Sequence, residues 1–290
     1  MNEDELIQSL TEVFPARHPF LKVGVGDDCA VLRAASGRGG FDVLKTDAVV
    51  QDVHFTLKMP PRLIGRKALA RVLSDFAAMG AEPRAFVVTV GIPKKLSPRF
   101  IKECYRGMNA LATRYNIALA GGEMTRSREL WFSVAATGRV RRPVLRSTAR
   151  AGDALFVTGR LGGSFPKEHL CFEPRLKEGQ WLARKNFASA MMDLSDGLGK
   201  DLPRLARASG LSFEIRPTAV PCRRGCSVHQ AVNDGEDYEL LFTVAPSKAD
   251  ALRRQWPFRA PLTCIGKMRR ASEPVETGGV AMRGFDHFRQ

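Results

Sequence analysis

The sequence predicts an α/β protein of two lobes, and three observations point there. The chain has 290 residues and 32.0 kDa, more than one small core needs and enough for two α/β lobes. Short Val-, Ala- and Phe-rich runs alternate with stretches of helical periodicity along its whole length. The polar stretch RRPVLRSTARAGD, with Pro143 and a closing Gly-Asp turn, reads as a crossing between the lobes. The N-terminal lobe then covers residues 1–140 and the C-terminal lobe 150–290.

The N-terminal MNEDELIQSLTEVF places Leu6, Leu10 and Val13 at helical spacing in an acidic context, unlike a secretory signal or a transit peptide. VGVGDDCAVLRA, FDVLKTDAVV and AFVVTVGI read as strands. Between the last two, PRLIGRKALARVLSDFAAMGA is a helix: Leu63, Ile64, Ala68, Leu69, Val72, Leu73, Phe76 and Ala77 follow a 3.6 period, and Gly80 ends it. SPRFIKECYRGMNALATRYN opens with Ser-Pro, a helix-start signal. IALAGGE is expected to be a buried strand with its turn, and ELWFSVAATGRV another strand. The second lobe runs through ALFVTGRLGGS, a strand ending at MMDLSDGLGKDL, the helix PRLARASG, the strands SFEIRP and ELLFTVAP, the helix SKADALRRQW and the strand PLTCIGKM.

Composition narrows the function. Apolar content is 44% and charged content 26%, and no run approaches the roughly eighteen apolar residues of a membrane span. The expectation is a cytoplasmic protein without a membrane partner. The six cysteines are scattered, and CRRGC has no second pair to complete a zinc site, so they read as reduced thiols. A net charge of +15 raises the question of nucleic acid. The basic residues are dispersed, however, with no arginine-rich block and no interleaved aromatics, which argues against that partner.

Against this basic background, carboxylates gather in five places: GDD at 26–28, TDAVVQDVHF at 46–55, LSDFAAMGA at 73–81, MMDLSDGLGKDL at 191–202 and NDGEDYELLF at 233–242. Mg²⁺ takes hard oxygen ligands, usually one or two carboxylates with water and phosphate completing the shell. Several Asp-bearing loops at strand ends therefore suggest magnesium around a polyphosphate. Asp28 follows a Gly-x-Gly turn, Asp47 follows the strand FDVLKT, and Asp75 lies in the helix expected to face them. Each aspartate taken singly could also be a turn former, an N-cap or a solvated acid. Neither GxxxxGK[ST] nor a helix-opening GxGxxG is present. A nucleotide would have to be held by metal bridges and by glycine backbones such as Gly121-Gly122 and the 159–163 run.

GVGDDCAVL, TDAVVQDVHF, KALARVLSDFAAMGA, AGGEMTR, GDALFVTGRLGGS, MDLSDGLGKDL, DGEDYELLFTV, CIGKM and GFDHF, in that order, resemble the thiamine-monophosphate kinase family of the aminoimidazole ribonucleotide synthetase-like superfamily. The resemblance spans nearly the whole chain. It implies a two-lobed synthetase-like fold whose N-terminal lobe forms an intersubunit β-barrel in a homodimer. It also implies Mg²⁺-dependent transfer of the ATP γ-phosphoryl group to thiamine monophosphate. Such chemistry asks for positioning and charge neutralisation more than for a strong base.

By matching motif, the resemblance implies catalytic roles for Asp28, Asp75, Asp193 and Asp196. It implies metal contacts from these four together with Thr46, Asp47 and Glu123. ATP contacts fall on Gly121, Gly122, Arg146 and Ser195, and thiamine phosphate contacts on His54, Glu236 and Phe285. A carboxylate and an aromatic face suit a thiazolium cation. The alternative for His54 is a satisfied strand residue, for Phe285 a core anchor, and for Arg146 a linker charge.

Some positions depart from the family pattern: Lys45 stands for Ser or Thr, Val72 for Asn, GGE for GGD and DGED for GGED, and the segment after TGRLGG is shortened. An ammonium cannot ligate a cation. Lys45 is therefore expected either to replace one magnesium with a fixed charge or to contact phosphate directly. Two other functions fit the same residues: an ATP-dependent enzyme with another acceptor, or a non-catalytic protein that binds thiamine phosphates or nucleotide.

Overall fold

A computed structural model describes residues 2–12, 18–34, 39–165 and 167–288. It contains two sheets. The first has the order β1-β2-β3-β6-β4-β5, from β1 (Leu21–Val23), β2 (Ala30–Arg33), β3 (Phe41–Val50), β4 (Glu82–Pro93), β5 (Ala118–Ser127) and β6 (Trp131–Val140). All its pairings are antiparallel except β4 with β5. The second sheet, order β8-β10-β7-β11-β9, is antiparallel throughout and uses β7 (Ala154–Thr158), β8 (Ala188–Asp193), β9 (Leu211–Ile215), β10 (Leu240–Val244) and β11 (Leu262–Arg270).

The expected helices form as α1 (Glu3–Thr11), α2 (Pro61–Ala78), α3 (Pro98–Tyr115), α6 (Leu198–Ala208) and α8 (Pro246–Gln255). Three more, α4 (Glu168–Cys171), α5 (Leu176–Arg184) and α7 (Val228–Asn233), lie in the second half. Ser97 caps α3 by accepting from the Phe100 N–H, with Pro98 in the first turn, as its start signal predicts. Val13, expected on α1, lies outside the described residues. The helix expected from Pro203 starts five residues earlier at Leu198, so Pro203 is its sixth residue, where it cannot donate to the carbonyl of Gly199, four residues before it.

Two expectations are corrected. Residues 118–127 form one unbroken strand, β5, with no turn at Gly121-Gly122, and its residues are exposed or, at Ser127, half-buried. It is an edge strand bonded only to β4, so its outer side has no partner strand among the described residues. Asp47 does not follow a strand: it lies within β3, which continues to Val50.

Helix α2 is the centre of the molecule. The periodic pattern suggests one apolar face, yet thirteen of its residues are buried on all sides. It packs on α3 through reciprocal glycines. A Cβ on Gly65 would lie 1.9 Å from the Cys104 carbonyl oxygen, and one on Gly107 would lie 1.8 Å from that of Arg62. Such backbone contact leaves no room for a methyl group. On its other side α2 meets α5, where Gly179 lies against the Ala77 carbonyl in the same manner. Gly65→Ala is accordingly expected to lower unfolding free energy by about 1–3 kcal/mol, read as a reduced urea midpoint.

Candidate active site

The three buried carboxylates Asp28, Asp75 and Asp193 converge, each offering an oxygen within 4.8 Å of the others. They come from separate elements: the turn between β1 and β2, the last turns of α2 and the final residue of β8. Each has a defined partner. Arg146 grips Asp28 with two bonds, Nε to Oδ2 at 3.0 Å and Nη2 to Oδ1 at 2.8 Å. Lys45 Nζ donates to Asp75 Oδ1 at 2.7 Å, and Ser74 Oγ donates to Asp193 Oδ2 at 2.6 Å. Burial, followed by the charge of Asp28, pushes the Asp193 carboxyl up to about 7. Asp27 beside it is raised to about 6 by burial and by Asp28. Burial opposes the charge on Lys45, but Asp75 and Asp47 more than offset it and keep the ammonium protonated.

Hard oxygen donors held this closely fit a magnesium ion. Among the described residues, three of the seven expected metal contacts meet. Thr46 is exposed on β3, its hydroxyl 3.4 Å from that of Ser133. Asp47 pairs with Arg71 at 3.2 Å. Glu123 is exposed on β5, separated from β3 by β6 and β4. Asp196 stands apart, held by Arg204 at 2.6 Å and Lys200 at 3.3 Å. Of the expected nucleotide contacts, Gly121 and Gly122 lie on the open edge of β5. Arg146 is committed to Asp28, and its own N–H donates to Asp27 at 3.2 Å.

Beside the cluster lies a solvent-open cavity of about 470 Å³, its open mouth included, bordered by His54, Arg71, Phe165, Asp196, Glu236 and Phe285. All three expected thiamine phosphate contacts, His54, Glu236 and Phe285, therefore face one space, together with Ser195. His54 Nδ1 accepts from the Val50 N–H at 3.1 Å, which leaves its proton on Nε2. Burial and then the charge of Arg71 push its pKa down to about 3, so the ring is a neutral donor. Burial works against ionised Glu236, but the hydrogen bond from His169 and the ammonium of Lys67 prevail and hold it at about 2.

Lys67 is fully buried; its ammonium donates to the His54 carbonyl at 2.8 Å and to Glu236 Oε2 at 2.5 Å, and lies 2.7 Å from His169 Nδ1. Burial lowers it to about 8 in spite of Glu236. Phe165 stacks on His169 with ring centroids 3.9 Å apart and lies 5.6 Å from the Lys67 ammonium. Sequence reasoning missed Lys67 and Arg71, although the signal was present: Lys67, Arg71, Ser74 and Asp75 share one face of α2. Phe165 and His169 lie in the shortened segment, where no motif marked them.

The other acidic positions of the run at 233–242 serve the scaffold. Asp234 accepts from the Gly163 N–H at 2.9 Å. Asp237 accepts from the Gly162 N–H at 3.0 Å and the Ser164 hydroxyl at 2.6 Å. Glu239 accepts from Thr158 at 2.7 Å and from Arg175. The turn also touches the loop after β8: a Cβ on Gly197, at φ 97°, would sit 3.1 Å from the Gly235 nitrogen. Glu236 and Tyr238 adopt positive φ of 55° and 51°, strained conformations fixed by N–H bonds to the Ser195 and Leu194 carbonyls at 2.7 and 2.8 Å.

Residues 26–140 match the family model of the AIR synthase related protein, N-terminal domain, and residues 166–268 that of its C-terminal domain. The chain is 36% identical over 267 residues to the thiamine-monophosphate kinase of Rhodopirellula baltica, covering 86% of this chain and 84% of that protein. It is 32% identical to the thiamine-monophosphate kinase of Bacillus subtilis over the full length of both. Among solved structures, AaThiL complexed with AMPPCP and TMP superposes with a TM-score of 0.86 at 28% identity, covering 99% of this chain and 97% of that one. The thiamine-monophosphate kinase of Stenotrophomonas maltophilia gives 0.76 at 30% identity over 96% of each chain. E. coli HypE, a hydrogenase maturation protein, shares the fold at 21% identity and a TM-score of 0.70, with 98% of this chain and 96% of that one covered.

Two outcomes follow from this geometry. Lys67→Met leaves Glu236 buried without its cation and is expected to cost about 3–5 kcal/mol of stability, measured by urea unfolding; adding Glu236→Gln should recover part of it. The contribution of neutral His54 to stability is complete above its unfolded pKa of 6.5 and is lost as pH falls toward about 3. In His54→Asn, the fall in melting temperature between pH 7 and 4 should be shallower than in the wild type.

Proposed function

The chain belongs to the thiamine-monophosphate kinase family, and from that premise we propose that it transfers the γ-phosphoryl group of ATP to thiamine monophosphate. The products are thiamine diphosphate and ADP. One observation carries the reading: Asp28, Asp75 and Asp193 converge beside a cavity onto which His54, Glu236 and Phe285 open. A polyphosphate site and a site for a cationic ring thus adjoin.

In the reaction an oxygen of the acceptor phosphate bonds to the γ-phosphorus as the bond to the β-bridging oxygen breaks. The attacking oxygen is already ionised, so no residue has to remove a proton from it, and the work is alignment and neutralisation. Asp28, Asp75 and Asp193 would hold Mg²⁺, which when bound supplies positive charge to the phosphates. Thr46, Asp47, Glu123 and Asp196 extend the candidate metal set, and Gly121, Gly122, Arg146 and Ser195 the candidate ATP set. At the acceptor end, the ionised carboxylate of Glu236 offers a counter-charge to a thiazolium ring, and the half-exposed ring of Phe285 offers a face for stacking. His54 offers its Nε2 proton to an acceptor atom of the substrate.

In this reading residues 1–140 are the ATP- and metal-binding and dimerisation domain, and residues 150–290 the C-terminal α/β domain. A homodimer would cover β5, whose Leu119 and Met124 are 52% and 66% exposed on an unpartnered edge. The setting is cytoplasmic, in keeping with six cysteines that form no disulfide. No helix among the described residues is long and apolar enough to cross a membrane.

Incubation with MgATP and thiamine monophosphate, followed by chromatography, is expected to yield thiamine diphosphate. Asp193→Asn should lower turnover by about 100-fold or more, as loss of a preorganised charge does, while circular dichroism stays unchanged. Absence of product with the wild-type chain, together with a substrate-induced rise in melting temperature, would instead favour binding without turnover.

A further inference from the structure

The charge around the carboxylate cluster is already largely balanced by the chain itself. Five aspartates gather there: Asp27, Asp28, Asp47, Asp75 and Asp193. Three cations face them in one-to-one contact, Arg146 on Asp28, Arg71 on Asp47 and Lys45 on Asp75. Asp27 and Asp193 are left to neutral donors, the N–H groups of Asp28 and Arg146 for the first and the Ser74 hydroxyl for the second. With all five ionised, two negative charges remain without a cation, which is the charge of one divalent ion.

The three cations are not equivalent. Arg146 and Arg71 reach in from the side, each also tied to the backbone or flanked by it: Arg71 donates to the Ala48 carbonyl at 2.9 Å, and the Arg146 carbonyl accepts from Ser209 at 2.7 Å. Lys45 instead puts its ammonium on an oxygen donor of the converging trio. Asp75 is its one hydrogen-bond partner among the described residues, so two N–H groups remain for a ligand. Its side chain is 26% exposed, while that of Asp75 is 7% exposed, so the lysine is the more open member of the pair.

We propose that Lys45 is a built-in substitute for a divalent cation. Its ammonium takes the place on Asp75 that a further metal ion would occupy, and it donates directly to the phosphate oxygens of bound ATP. The chain then works with one metal position fewer at this cluster than the same carboxylates would otherwise support. The inference rests on the kinase reading for its ligand, but counting metal ions does not depend on turnover.

Mn²⁺ serves as the probe, because its bound and free forms are separated by electron paramagnetic resonance. Wild type, Lys45→Thr and Lys45→Met are titrated with Mn²⁺ alone and with Mn²⁺ plus AMPPCP, and circular dichroism checks that all three are folded. Lys45→Thr removes the ammonium and supplies an oxygen ligand, so it should bind about one more Mn²⁺ per chain than the wild type when AMPPCP is present. Lys45→Met removes the charge without supplying a ligand, and its Mn²⁺ affinity should rise ~tenfold or more as the repulsion disappears. The Mg²⁺ concentration for half-maximal product formation should be higher in Lys45→Thr than in the wild type, because a second ion must be recruited.

Equal Mn²⁺ counts and affinities in all three proteins, with product formed by the wild type, would overturn the role of Lys45 and leave the kinase standing. A wild-type chain that forms no product and binds no Mn²⁺ with AMPPCP would overturn the kinase reading itself. Should Lys45→Thr fail to fold, Lys45→Met carries the affinity comparison.

Discussion

The structure depends on a polar stripe buried along one helix. Lys67, Arg71, Ser74 and Asp75 lie on one face of α2, which is packed on its other sides by α3, α5 and the first sheet. Burying such groups is costly unless each is paired, and here each meets a partner from another part of the chain. Lys67 takes His54, His169 and Glu236; Arg71 takes Asp47; Ser74 takes Asp193; Asp75 takes Lys45. The two sheets are thereby indexed to the same helix. At 1.5 Å per residue, the stripe from 67 to 75 spans about 12 Å, enough to place the acceptor cavity at one end and the carboxylate trio at the other.

That arrangement explains why the loop after β8 has so little freedom. Asp193 belongs to the trio, whereas Ser195 and Asp196 border the cavity, so three residues of chain connect the two ends of the site. The loop is clamped from both sides. The Glu236 and Tyr238 N–H groups bond its carbonyls, and the Asp196 N–H donates to buried Asp201 at 3.0 Å. The Asp196 carbonyl also accepts from Phe285 N–H at 2.8 Å. A movement of the trio would therefore be felt at Glu236 and Phe285. Rigid coupling of this kind suits phosphoryl transfer, where misplacement by an ångström is expensive.

Much of the fold was legible because its cues are local. The Ser-Pro start of α3, the strand runs and the Gly80 stop each depend on a few neighbouring residues. The edge position of β5 was not, because its Ala, Leu and Met content reads the same whether the strand is covered by its own chain or by another. The candidate site was half legible. Asp28, Asp75 and Asp193 could be picked out by type and motif, and His54, Glu236 and Phe285 by resemblance, but their convergence depends on tertiary packing. The apolar periodicity of α2 concealed its polar face, since a pattern search asks where the hydrophobic residues lie and treats the rest as solvated. Phe165 and His169 could not be found, since neither spacing nor motif marks a residue placed by a shortened loop.

Charge placement connects these parts. The chain carries a net +15, yet at the site its cations are consumed in pairs by carboxylates, so the basic balance does not produce a simple anion sink. An uncompensated acidic cluster would repel ATP, and an overcompensated one would hold no metal. Asp27 and Asp193, the two aspartates without a cation of their own, are raised to about 6 and about 7 by burial and by Asp28, so a divalent ion would draw both into the ionised form, and with that ion in place the cluster would no longer repel a polyphosphate. The acceptor end follows a different rule. There Glu236 is neutralised from behind by Lys67 through Oε2, while Oε1 has, among the described residues, a 3.4 Å contact with the Tyr238 hydroxyl. One oxygen therefore secures the carboxylate in its ionised state and the other remains available to the cavity. A buried lysine thus fixes the form and direction of a carboxylate that faces the cavity without lining the cavity itself.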